Sequence, residues 1–226
     1  MSCPLLAVSP HLDDAVLACG GLLAEHPGAR VVTVFAGCAG AEAMSTGWDR
    51  ACGFGNAAQA MAARRQEDRA ALLHLGARPR WLAFCDAQYD RPAPQEEIAA
   101  ALAQELKRER PPRLAVPLGL FHSDHVLAAD ACLALFLQAG GGAEWLAYED
   151  ALYRRIPGLV QERLQALAAL GIEAVAVPSV AAACLKRAAV QCYRSQLDAL
   201  AGAGHEVQAE VAAPERYWSL RLAAHG

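Results

Sequence analysis

Short apolar runs alternate along this chain with long stretches rich in alanine and leucine. Residues 5–9 form a short apolar run, the pattern of a buried strand. A helix is predicted over 15–25, with Asp13 or Asp14 as its N-cap. The β-branched run at 30–35 predicts a second strand. A helix over 57–75 is closed by Gly76, and a third strand is predicted at 81–84. Pro111 and Pro112 stop a helix over 95–110, and a fourth strand follows at 114–117. A helix over 124–138 runs into the glycines at 140–142, and 145–148 predicts a fifth strand. A sixth strand at 173–177, a helix over 180–200 and a last strand at 217–222 complete the pattern.

Strands that alternate with helices predict a mostly parallel sheet with helices on both faces, a three-layer, Rossmann-like α/β fold. No repeat or low-complexity linker interrupts the pattern, so 1–226 reads as a single domain. The stretch 36–55 is rich in glycine and irregular, and has the character of a lid.

Composition narrows the function classes. Twenty Lys and Arg against 24 Asp and Glu give a net charge of −4, and the basic residues are scattered. That argues against a nucleic-acid partner bound through bulk charge. Alanine fills 52 of 226 positions, so the apolar content signals helix formation more than a large core. The most apolar segment, 167–185, contains Glu173 and is cut by Pro178, so no membrane span is expected. The N-terminus has no basic region before its apolar run, and none of the eight cysteines has C-x-x-C spacing. A cytoplasmic protein with reduced cysteines is expected. A homo-oligomer is left open.

Just after the first strand the chain reads Ser9-Pro10-His11-Leu12-Asp13-Asp14, and just after the fourth it reads His122-Ser123-Asp124-His125. Ligands of parallel α/β sheets bind outside the carboxyl ends of the strands, so both clusters fall on one edge. A His at a strand end or an Asp at a helix start is common without any ligand. Two such clusters on one edge point to a site. Two imidazoles, one carboxylate and an open position suit catalytic zinc or iron, whereas calcium and magnesium take oxygen ligands. Extended spacing turns His11 and Asp13 to one side, and helical spacing puts His122 and His125 on one face. Spacing leaves open which aspartate binds metal.

These segments resemble the LmbE/PIG-L family of zinc-dependent N-deacetylases. HLDD at 11–14 is close to the family's H-P-D-D-E, and HSDH at 122–125 matches its H-x-D-H. Arg64-Arg65-Gln66-Glu67 resembles its R-x-x-E helix, and Lys186 with Ser195-Gln196 resembles its C-terminal K…SQ segment. The chain departs at Leu12, where Pro is usual, at Ala15, where Glu is usual, and at Tyr193, where a His often precedes SQ. The resemblance implies Zn2+ held by His11, Asp14 and His125. It implies Asp13 as general base toward water and His122 as the group that holds the oxyanion, with either of them protonating the leaving amine. The implied substrate is a small-molecule N-acetylated sugar conjugate, of the N-acetylglucosamine type or its glycoside.

Position nominates Arg64, Asp86, Trp48 and Glu149 as substrate contacts. Arg64 opens the R-x-x-E match, Asp86 follows the third strand, Trp48 sits in the lid, and Glu149 or Asp150 follows the fifth strand. Arg64 has an alternative as an ion pair with Asp68 at i+4. Two other functions fit parts of the pattern. His11, Asp13 and His125 also match the two-His, one-carboxylate set of non-haem iron oxygenases, which sit on double-sheet β-barrels. A metal-loaded sugar-binding module without activity is the other.

Overall fold

The computed structural model describes residues 3–38, 40, 44–91, 93–139, 142–178 and 183–223. Its strands are β1 (Leu6–Ser9), β2 (Arg30–Thr33), β3 (Arg78–Trp81), β4 (Arg113–Pro117), β5 (Glu144–Tyr148), β6 (Ile172–Val177) and β7 (Tyr217–Leu222). They form one sheet in the order β3-β2-β1-β4-β5-β7-β6. The strands from β3 to β5 in that order pair in parallel, and β7 runs antiparallel to both β5 and β6. The order reverses between β1 and β4, the switch point where open α/β sheets leave a crevice. A single mostly parallel sheet is the predicted three-layer architecture. It is not the double-sheet barrel that hosts the oxygenase chemistry.

The helices are α1 (Asp14–Glu25), α2 (Gly47–Ala51), α3 (Ala57–His74), α4 (Gln95–Glu109), α5 (Ser123–Ala139), α6 (Leu159–Ala169), α7 (Ala183–Val190), α8 (Arg194–Gly202) and α9 (Val207–Ala212). Alternation along the strands sorts the core into two layers. Ala7, Ala115, Leu146 and Tyr148 face α1, α3 and α7–α9, while Leu6, Val8, Leu114, Val116 and Trp145 face α4, α5 and α6. Among the described residues no helix is long and apolar enough to cross a membrane.

Several elements depart from the sequence prediction. β3 lies at Arg78–Trp81 and not at 81–84. It is an edge strand, where Pro79 is tolerated and an apolar run is not needed. The helix predicted over 180–200 is two helices, and Val180 lies outside the described residues. Cys192 and Tyr193 donate their amides to Ala189 and Val190, three residues back. These tight bonds end α7 and turn the buried Tyr193 inward before α8 restarts. The stretch 36–55 contains the short helix α2, and α6 and α9 carried no clear start signal. The glycines at 140 and 141, expected to end α5, lie outside the described residues.

Helix α1 is kinked at Cys19, which has φ −136° and ψ 27°. The kink frees backbone amides, and the carboxylate of Glu215 takes two of them, from Gly21 at 2.8 Å and Leu22 at 3.3 Å. Lys186 Nζ pairs with the same carboxylate at 2.9 Å, and both side chains are buried. A Cβ on Gly21 would lie 2.9 Å from Glu215 Oε2, and one on Gly20 would lie 2.9 Å from Lys186 Cγ. Gly20-Gly21 therefore makes room for this buried ion pair.

Candidate functional site

The segment after β1 is held by its own backbone. Ser9 Oγ accepts from the Ala15 amide at 2.9 Å, satisfying a donor in the first turn of α1. It donates to the His11 carbonyl at 2.5 Å. This folds residues 10–14 into a tight turn that brings His11 over Asp14. The His11 amide donates to Asp14 Oδ2 at 2.8 Å, and His11 Nδ1 lies 3.2 Å from the same oxygen. From α5, His125 Nε2 reaches it at 3.1 Å. His11, Asp14 and His125 thus converge, with ligand atoms within 4.8 Å of one another. His11, His122 and Asp124 form a second group that meets the same limit.

Each imidazole of the first group is backed by a carboxylate. His125 Nδ1 lies 2.7 Å from Asp150 Oδ1, and His11 Nε2 lies 2.9 Å from Asp124 Oδ2. Asp124 is further fixed by the Ala87 amide at 3.0 Å. Such partners set which ring nitrogen faces a metal. Two nitrogens and one oxygen around a common point are a donor set for zinc or another borderline ion. The residues therefore fit a metal at this position.

Electrostatics separate the remaining groups. Burial, reinforced by the neighbouring Asp14, pushes the Asp13 carboxyl up to about 6. Burial works against charge on His125, but Asp14 and Asp150 outweigh it and carry the imidazole up to about 9. Asp14 is buried too, yet His125 and His11 hold its carboxyl well below the usual range. His122 moves the other way: burial and the nearby His11 and His125 lower it. A backbone amide, that of Asp124, donates to His122 Nδ1 at 3.2 Å. Neutral His122 therefore carries its proton on Nε2.

A cleft of about 290 Å³ opens here, lined by His11, Asp13, Asp14, His122 and His125 and by Arg64, Asp86 and Trp48. The nominated contacts are tied down to different degrees. Asp86 accepts from the Gln88 amide and side chain, and lies 3.8 Å from His11 Nε2. Trp48 Nε1 donates to Gln196 Oε1 at 3.1 Å. Arg64 pairs with the fully buried Asp49 at 2.9 Å, and not with Asp68. Asp49 also accepts from the Tyr89 hydroxyl and from the Thr46 amide, completing the capping box of α2. Arg64 thus pins the segment around α2 to α3 while lining the cleft. The same α3 stretch secures α8, since Glu67 accepts from the Ser195 amide and hydroxyl.

Glu149 needs correction. It turns away from the cleft and accepts from Trp218 Nε1 at 3.1 Å, with Arg216 at 3.8 Å. Successive residues at a strand end face opposite sides, so Asp150, one residue on, is the carboxylate at the site. His205 lines the cleft with Tyr153, Tyr193, Gln88 and Gln196. Tyr193 donates its hydroxyl to Asp68 Oδ1 at 3.0 Å, and Trp81 Nε1 donates to the other oxygen at 2.7 Å. Of these, Tyr193 and Gln196 carried a sequence signal, through the SQ segment. The others come from loops and helices whose approach to the cleft is set by tertiary packing.

Fold and site together define a three-layer α/β protein with a His/Asp metal-type cluster at the switch point of its sheet. The family model for PIG-L, GlcNAc-PI de-N-acetylase, matches residues 6–136, and the chain belongs to that LmbE-like family. No curated protein matches the chain. Among solved structures it is similar to the zinc-inhibited form of teicoplanin deacetylase, with 24% identity and a TM-score of 0.81 over 98% of this chain and 99% of that one. An antimicrobial pseudoaglycone deacetylase is 27% identical, with a TM-score of 0.76 over all of both chains. A 4-carboxy-2-hydroxymuconate hydratase from Pseudomonas putida shares the fold at 19% identity, with a TM-score of 0.60 over 100% of this chain and 98% of that one. The fold therefore does not set the reaction, and function rests on family and site.

Proposed function

We propose that this chain is a zinc-dependent N-deacetylase that releases acetate from an N-acetylated amino sugar or its glycoside. The observation that carries this reading is the convergence of His11 and His125 on Asp14, beside Asp13, in the switch-point crevice. Membership of the family and the likeness to the pseudoaglycone deacetylase support it. His11, Asp14 and His125 would hold the metal, with Asp124 and Asp150 orienting the two rings. Zinc bound there supplies a Lewis acid and makes water deprotonable near pH 7.

The chain's own residues then divide the proton work. Asp13, with its carboxyl near 6, is ionised at neutral pH yet close enough in affinity to accept the proton of an attacking water. Neutral His122 offers Nε2–H to the oxygen that gains charge as the acetamide carbonyl becomes tetrahedral. Protonated Asp13 can return its proton to the departing amine. Arg64, Asp86 and Trp48 line the space for the sugar, where Asp86 has carboxylate oxygens to accept ring hydroxyls. The reading keeps the expected cytoplasmic location and a small-molecule N-acetylated sugar conjugate as substrate. Metal analysis together with acetate release from N-acetylglucosamine derivatives tests it. A metal-loaded protein that releases acetate from none of them refutes it.

A further inference from the structure

Phe121, next in the chain to the cleft-lining His122, is 67% exposed, and its backbone is strained. Its φ is +61°, and the His122 amide donates to the Leu120 carbonyl at 2.7 Å. A two-residue hydrogen bond around a positive φ is the rare, strained form of the γ-turn. Glycine is the residue that turn favours, yet the chain places a large aromatic there and leaves it in water. Strain of this kind persists where the surroundings enforce it, commonly at ligand clamps. The Phe121 ring lies 5.3 Å from that of Tyr153, tilted by 34°. Tyr153 in turn stacks on His122 at 6.5 Å and 20°, and both line the cleft. The shelf is thus continuous with the reaction site.

At about 290 Å³, the cleft is at the small end of ligand pockets, which run from roughly 300 to 1,000 Å³. A second ring joined to the amino sugar would extend beyond it. Of the shelf's two side chains, only Tyr153 carries a polar atom, so the surface is poorly suited to pairing sugar hydroxyls. Resting on the deacetylase reading above, we propose that Phe121 and Tyr153 form a subsite that stacks an aromatic aglycone attached to the amino sugar.

The test compares the binding of two deacetylated amines, 4-nitrophenyl β-D-glucosaminide and methyl β-D-glucosaminide, by calorimetry on the metal-loaded protein. Neither compound can turn over. The wild-type chain should bind the aryl compound roughly three- to tenfold tighter, the scale of one aromatic pair. Phe121→Gly should bring the ratio close to one and leave methyl glucosaminide binding unchanged. Because Gly relieves the strained turn, the melting temperature of this variant should not fall. Equal binding of the two compounds by wild type overturns the subsite and leaves the deacetylase reading standing. So does an unchanged ratio in Phe121→Gly, or a dimer that this variant dissociates without changing the ratio. If neither compound binds, the subsite fails, while the deacetylase reading is decided by acetate release.

Discussion

Asp150 Oδ1 lies 2.7 Å from His125 Nδ1, while its other oxygen accepts from the Gly119 and Leu120 amides at 2.9 and 3.0 Å. One buried carboxylate thereby fixes both a candidate ligand and the loop that precedes it. Asp150→Asn removes one acceptor oxygen and leaves at least one of these donors unpaired. Metal affinity should fall about 10- to 100-fold, read by competition with a chromogenic chelator. Unchanged affinity would show that Asp150 supports the loop alone.

Asp13 makes no side-chain capping bond at the start of α1, so its removal should spare the helix. Asp13→Asn should lower kcat about 10²–10⁴-fold while metal content and melting temperature hold. Full activity in this variant would remove Asp13 from the proton work.

Chelation should abolish acetate release and lower the melting temperature, because a metal that binds only the folded state stabilises it. Restored zinc should recover both. His125→Ala should block recovery at the zinc concentration that rescues wild type.

Burial raises the Asp68 carboxyl to about 7 from its ordinary 3.8. Between those values the folded state holds a proton that the unfolded chain has lost. Stability from this group is therefore full below about pH 4 and declines as pH rises through about 7. The loss is up to about 4 kcal/mol. Asp68→Asn cannot ionise, so its melting temperature should gain on wild type as pH is raised from 5 to 8. A gap that stays constant over that range would show that Asp68 does not titrate there.

Gly21→Ala tests the kink in α1. Its Cβ would press on a carboxylate held by two amides and an ammonium group. Overpacking of this sort costs about 1–3 kcal/mol, or roughly 2–12 °C in a chain of this size. Thermal unfolding reads it directly, and an unshifted midpoint would mean that the carboxylate moves aside freely.

The parallel sheet, its switch point and the two His/Asp clusters were legible because they depend on local pattern. Apolar runs mark buried strands, and polar residues just beyond them mark the functional edge. β3 was misplaced because an edge strand with Pro79 needs no apolar run. Glu149 and Asp150 are adjacent carboxylates, and only the facing of the strand end distinguishes them. His205 and Tyr153 reach the site from loops placed by tertiary packing, and Asp68 meets it only through its bond to Tyr193. Arg64 was nominated for the cleft, but its partner Asp49 sits 15 residues away across a loop of irregular pattern.

The carboxylate that straddles the kink of α1 also sets an order of events. Glu215 is 194 residues from the Gly21 amide it accepts. His11, Asp13 and Asp14 are synthesised well before Glu215, so the kink behind them gains this partner only once that distant segment is present. Contacts this distant in sequence form slowly. A chain that stops short of residue 215 therefore carries His11, Asp13 and Asp14 ahead of a helix whose freed amides lack this partner.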